Sequence, residues 1–99
     1  MKRVFICSRY AGDIKKNVET AKQLCRKATG EGLAPFAPHL LYTLFLNDDE
    51  PAEKLLGLEC GKAFLDKCDE LWFYIGEGVS ANMRHERDHA LNMGIPVRI

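Results

Sequence analysis

The segment Leu71-Trp72-Phe73-Tyr74-Ile75 constrains this chain more than any other, because five consecutive residues of strand-forming, apolar type call for a strand covered on both faces. Such a strand belongs inside a parallel sheet, and parallel strands need crossover segments long enough to hold a helix. The rest of the sequence supplies them. Arg3-Val4-Phe5-Ile6-Cys7 reads as a first strand that ends in the turn-forming stretch Ser8 to Asp13. Asp13 is a good N-cap, and Ile14, Val18, Ala21, Cys25 and Ala28 recur at steps of four and three, which predicts a first helix stopped by Gly30 and Gly32.

Leu33 to Ala37 predicts a second strand. Pro51 stands at a first helical position, and Ala52, Leu55, Leu56, Ala63 and Phe64 can face inward along a second helix that ends near Cys68. Glu70 to Ile75 is the third strand. Ser80 caps a third helix that reaches Gly94, and Pro96-Val97-Arg98-Ile99 forms the last strand. The connection over 38–50, first apolar and then acidic, shows no readable period. The order β-α-β-α-β-α-β predicts an α/β protein, a small Rossmann-like or flavodoxin-like three-layer fold with a four-stranded parallel sheet and helices on both faces. Ligands of such sheets lie outside the carboxyl ends of the strands, so the loops at 8–13, 37–50 and 76–80 are expected to line one pocket.

Ninety-nine residues form one domain, 1–99, and leave no room for a second independent core. Fourteen Lys and Arg balance fourteen Asp and Glu, so no net field draws in a nucleic-acid polymer or an anionic membrane, and any anionic ligand must be held locally. No window reaches transmembrane length, and the apolar run near the N-terminus is too short for an export signal, which leads to the expectation of a cytoplasmic protein. Cys7, Cys25, Cys60 and Cys68 form no Cys-x-x-Cys pair and are expected to be free thiols.

His85-Glu86-Arg87-Asp88-His89 matches the zinc-protease pattern His-Glu-x-x-His, in which two His one turn apart hold the metal. A catalytic site needs a third protein ligand, and the ten residues after His89 contain no His, Asp, Glu or Cys. Only His39 or the acidic residues of 47–50 could provide one. The helical wheel points elsewhere. Met83, Glu86, Ala90 and Met93 share one stripe, which puts a carboxylate on the apolar face. A carboxylate there must be paired, protonated or functional, because burial without partners is costly and raises its pKa. An ion pair with Arg9 or Arg84 is the bland alternative. Ser80, six residues earlier, is an N-cap, and the start of a helix also offers N–H groups and positive dipole to a phosphate or a ribose hydroxyl. Ser8-Arg9-Tyr10-Ala11-Gly12 adds a cation, two hydroxyls and a glycine one strand away. His39, at the end of the second strand, is placed either to contact a ribose hydroxyl or to cap a loop.

Asp69 to Ile75, followed by Ser80-Ala81-Asn82-Met83-Arg84-His85-Glu86, Ala90 and Gly94-Ile95-Pro96-Val97, resembles the pattern Asp-strand-Ser-x-Gly-Met-x-x-Glu-x-x-x-Ala-x-x-x-Gly-x-Pro-Val. That is the pattern of the nucleoside 2-deoxyribosyltransferase-like proteins, which include nucleoside 5'-monophosphate N-glycosidases. The resemblance covers nearly the whole chain. It implies Glu86 as the nucleophile that attacks the anomeric carbon, displaces the base and forms a glycosyl-enzyme intermediate, which water or a second base resolves. It implies Ser80 as a contact of the 5'-phosphate and Ser8 and Arg9 on a neighbouring phosphate loop; Tyr10, Gly12, His39, Asp69, Gly78 and Met83 are the further candidate substrate contacts. The implied ligand is a small nucleoside or nucleotide, with no cofactor and no metal. A homodimer or higher homo-oligomer is expected, with Leu40, Leu41, Leu44, Phe45 and Leu46 either at that contact or in a helix packed on the sheet. Three positions depart from the pattern: Phe5 replaces a tyrosine of the first strand, the assisting aspartate of helix two falls near Gly61 with only Glu59 close, and Asn82 replaces a glycine. The alternative function is therefore a catalytically weak or inactive module that binds a nucleotide signal.

Overall fold

Parallel pairing brings four short strands into one sheet in the order β2-β1-β3-β4, here in a computed structural model that describes residues 1–99. The strands are β1 (Arg3–Cys7), β2 (Ala34–Phe36), β3 (Glu70–Phe73) and β4 (Val97–Arg98). Between them run α1 (Ile14–Gly30), α2 (Pro38–Leu41) continued by a 3₁₀ turn over Tyr42–Leu44, α3 (Pro51–Leu65) and α4 (Ala81–Asn92). The pairing register sets Phe5 beside Leu71 and Cys7 beside Phe73, so β1 and β3 end level with each other. From β1 the chain turns to β2 on one side, while β3 flanks it on the other. That reversal opens a crevice at the carboxyl ends of β1 and β3.

Period-two alternation sorts the side chains of the two central strands onto two cores. Val4, Ile6 and Trp72 face α1 with Ala28, while Phe5, Cys7, Leu71 and Phe73 face α3 and α4 through Leu65, Met83 and Ala90. Both faces of the sheet are thus covered, as the apolar runs of β1 and β3 require. None of the helices is long and apolar enough to cross a membrane. All four cysteines are free thiols.

The structure corrects several expectations. The third strand ends at Phe73, and Ile75 lies exposed in the following loop. In α1 the first inward residue is Asn17, not Ile14, because the Asn17 amide donates to the carbonyls of Tyr10 and Ala11 and ties down the loop after β1. The inward face of α3 is Gly61 and Leu65 with half-buried Leu58, while Ala52, Leu55, Leu56, Ala63 and Phe64 are exposed. Gly61 sets that register: a Cβ there would stand 3.6 Å from Pro38 Cβ and 4.0 Å from Phe5 Cζ, so the helix approaches α2 and β1 where it has no side chain. In α4 the buried stripe is Met83, Glu86 and Ala90, and Met93 lies exposed just past the last turn. The unreadable connection contains α2 and the 3₁₀ turn, with Leu41, Leu44 and Phe45 exposed and Leu40 and Leu46 half-buried.

Candidate active site

Helix α4 begins with a reciprocal cap. Met83 N donates to Ser80 Oγ at 3.2 Å, and Ser80 N lies 3.4 Å from Met83 Sδ. The Met83 side chain is itself buried against the sheet, and burying a methionine contributes about 1.5–3 kcal/mol, comparable with the penalty for the carboxylate one turn later. That anchor holds Glu86 with only 4 % of its surface exposed.

No cation pairs with Glu86, so the ion pair with Arg9 or Arg84 does not form. Its partner is Cys7, whose Sγ donates to Oε1 at 3.3 Å. Burial drives the Glu86 carboxyl up from 4.5 to about 7, against the opposing pull of the Cys7 hydrogen bond. The thiol is pushed up further, by burial first and then by the adjacent carboxylate, so Cys7 is a donor and not a thiolate. Oε2 accepts from no group of the chain, yet no fully enclosed side-chain oxygen or nitrogen lacks a partner. Oε2 therefore faces open space.

That space is a set of adjoining cavities. One is lined by Glu86, His39, Tyr42, Asp48 and Lys54; a second joins Tyr10, His39, Lys54 and Ser80; a third runs between α3 and α4 past Glu59, His85 and Glu86. Tyr10 and His39 stack at 5.1 Å between ring centroids, joining the loop after β1 to α2. Burial lowers the His39 pKa from 6.5 to about 4, with Asp48 pulling up and Lys54 pulling down, so its ring is neutral near pH 7 and can accept as well as donate.

Arg9 bridges two loops. Its Nε donates to Ala11 O at 3.1 Å, and its Nη1 lies 3.1 Å from where a Cβ on Gly78 would stand. Gly78, at φ 91°, and Gly12, at φ 101°, occupy backbone conformations that side chains resist. Arg9 pairs with no carboxylate, and Glu77, the residue before Gly78, is engaged by Lys16 and Thr20. Ser8 is buried at the end of β1 and its hydroxyl bonds to no other group of the chain. Tyr10, His39, Ser80 and Glu86 thus line the adjoining cavities at this end of the sheet, while Ser8, Arg9, Gly12 and Gly78 lie in the flanking loops and line none of the three.

Asp69 does not join them. It precedes β3 at the opposite end of the sheet, where it accepts from Arg3 N at 2.7 Å and pairs with the Arg3 guanidinium, a local clamp between strand starts. Met83 serves the cap and the core and lines none of these cavities. His89 is taken by Asp66 at 2.5 Å, and no three His, Cys, Asp or Glu side chains converge as a metal-holding group. Sequence reasoning missed Cys7 and Lys54, whereas Asp48 lies in the 37–50 loop that was expected to line the pocket. For Cys7 the signal was present, since it follows Phe5 by two and shares its face of the strand.

A doubly wound parallel α/β domain with a buried carboxylate that no cation neutralises at its switch point is the class that fold and site define together. The chain belongs to the family described as domain of unknown function DUF7768, whose model matches residues 2–99. No curated protein matches it. Among solved structures it is similar to a 2-deoxyribosyltransferase from the psychrotolerant bacterium Bacillus psychrosaccharolyticus, with a TM-score of 0.72 and 16 % identity over 96 % of this chain and 69 % of that one. The two share the fold.

Proposed function

We propose that this protein cleaves or exchanges the N-glycosidic bond of a nucleoside or nucleotide, with Glu86 as the nucleophile. The observation that carries the reading is the Glu86 carboxyl itself, buried, unpaired by any cation and open at Oε2 to the cavities of the crevice. A carboxylate held this way favours the positive charge that develops on a sugar ring as its base departs, and two displacements replace one difficult step. Arg9, Ser8 and the start of α4 at Ser80 are the groups suited to a 5'-phosphate, and neutral His39 to a sugar hydroxyl. The fold shared with a 2-deoxyribosyltransferase supports the same chemistry.

The second reading is a binding module with the same ligand class and little turnover. Phe5 packs against Phe36 without a hydroxyl, and Gly61 is filled by Pro38, so neither position offers an assisting polar group. In both readings the chain self-associates, through the apolar segment that exposes Leu41, Leu44 and Phe45.

Incubation with a panel of nucleosides and nucleotides, followed by chromatography, tests the proposal. Wild type is expected to release a free base, and Glu86→Gln to lower that rate by about three orders of magnitude or more. Intact ligand retained by both proteins, with no base released, establishes the binding module instead.

A further inference from the structure

The last side chain of β1 sits against α4 rather than merely filling the core. Cys7 Sγ lies 3.3 Å from Glu86 Oε1 and 3.6 Å from Met83 O, two acceptors one turn apart on the same helix, and the thiol has one proton to give. Phe5, the next residue along this face of β1, has no polar side-chain atom and spends its ring on Phe36 at 5.8 Å. No lysine, arginine or histidine touches the carboxyl. We propose that Cys7 is the positioning residue of this site, its thiol holding Glu86 Oε1 so that Oε2 is the oxygen presented to the cavity.

This role deepens the reading of Glu86 as nucleophile and rests on it. A strand residue is the firm side of the contact: Cys7 is fully buried and in register with Phe73, whereas Glu86 reaches down from a helix through rotatable bonds. The donor also has a resting place. When Glu86 is ionised the S–H favours the charged oxygen, and when Glu86 is protonated it can turn to the Met83 carbonyl without being left unsatisfied. The same contact acts on the charge, because a hydrogen bond to the ionised form opposes the burial that resists ionisation. Other titratable groups face the carboxyl across open space: His39 from α2, Asp48 from the following loop, and Glu53 and Lys54 from α3. Glu59, Lys62 and His85 border the groove on its other side.

The test compares wild type with Cys7→Ala, which removes the donor, and Cys7→Ser, which keeps a stronger one. Glu86 is titrated by carbon-13 NMR of carboxyl-labelled protein, its signal identified by its loss in Glu86→Gln. The expected order of apparent pKa is Ser below Cys below Ala, with Ala raised by about one unit. The acid limb of the pH–kcat/KM profile moves in the same order, and the serine variant loses less turnover than the alanine variant. A residue that only packs would leave both profiles in place. Unchanged Glu86 titration in the folded variants overturns the proposal, and should the alanine variant fail to fold, the absence of a downward shift in the serine variant overturns it alone. The titration is independent of substrate. An ordered titration without glycosidic activity supports the Cys7–Glu86 coupling and removes the nucleophile reading, whereas Glu86-dependent activity with an unmoved titration removes Cys7 alone.

Discussion

Glu86 is a residue the fold would be more stable without. Its folded carboxyl titrates at about 7 against 4.5 in an open chain, so between those values the folded state holds more protons than the unfolded one. Stability from this group is then fully present below pH 4.5 and is lost as pH rises to about 7. Glu86→Gln, which cannot ionise, is expected to exceed wild type by about 1–3 kcal/mol at pH 8 and by little at pH 4.5, read from urea unfolding at each pH. His39 works with the opposite sign. Its folded value of about 4 lies below 6.5, so its contribution is present above pH 6.5 and is lost as pH falls toward 4. The two slopes oppose each other between pH 4.5 and 6.5 in wild type. In Glu86→Gln the His39 slope stands alone, and stability should rise with pH over that window; a flat curve in the variant would contradict this account. That a destabilising carboxylate is kept on the apolar face is consistent with selection for the site rather than for the core.

At the scale of elements, α3 shows how a contact decides a register. Leu55, Leu56, Leu58, Phe64 and Leu65 spread apolar side chains around the helix, so periodicity alone cannot choose which side turns inward. The choice is made at Gly61, where the helix rests on Pro38 and Phe5. A methyl group there would sit at ordinary contact distance, 3.6 Å from Pro38, and would remove the backbone entropy penalty of a glycine inside a helix. Gly61→Ala should therefore stabilise the protein by about 0.5–1 kcal/mol, or a few degrees in Tm, and a loss of stability would show that α3 sits closer to α2 than this distance. By contrast α4 was legible in the sequence from its cap onward. Ser80 and the stripe Met83, Glu86, Ala90 lie where their spacing put them, because cap and period are both local properties.

For the whole molecule, a sheet of four short strands leaves the open edges of β2 and β4, and several large apolar side chains remain outside the two cores. Leu44 and Phe45 are 78 % and 65 % exposed, on the segment that also carries Tyr42 to the rim of the crevice. The self-association proposed for this segment predicts a dimer or larger species in sedimentation velocity at micromolar concentration, and Leu44→Asp with Phe45→Asp should shift it to a monomer that keeps the wild-type circular dichroism spectrum. A wild-type monomer under those conditions would remove the segment from consideration. The net charge is zero, so the cations offered to a ligand are local ones, Lys54 in the cavity wall and Arg9 in the loop after β1.

By itself the sequence determined the alternation of strands and helices, the parallel sheet, and the place of a carboxylate on an apolar helix stripe. Those features follow from periodicity, capping and chain reversal, each set within a few residues. Only the tertiary structure decided what that carboxylate meets. Cys7 and Glu86 are separated by 79 positions, and their contact depends on the parallel register of β1 with β3 and on the seating of α4 across both. It also sent Asp69 to the far end of the sheet and turned Leu55 and Leu56 of α3 outward, because helix seating is settled by packing between distant segments, which no local spacing records.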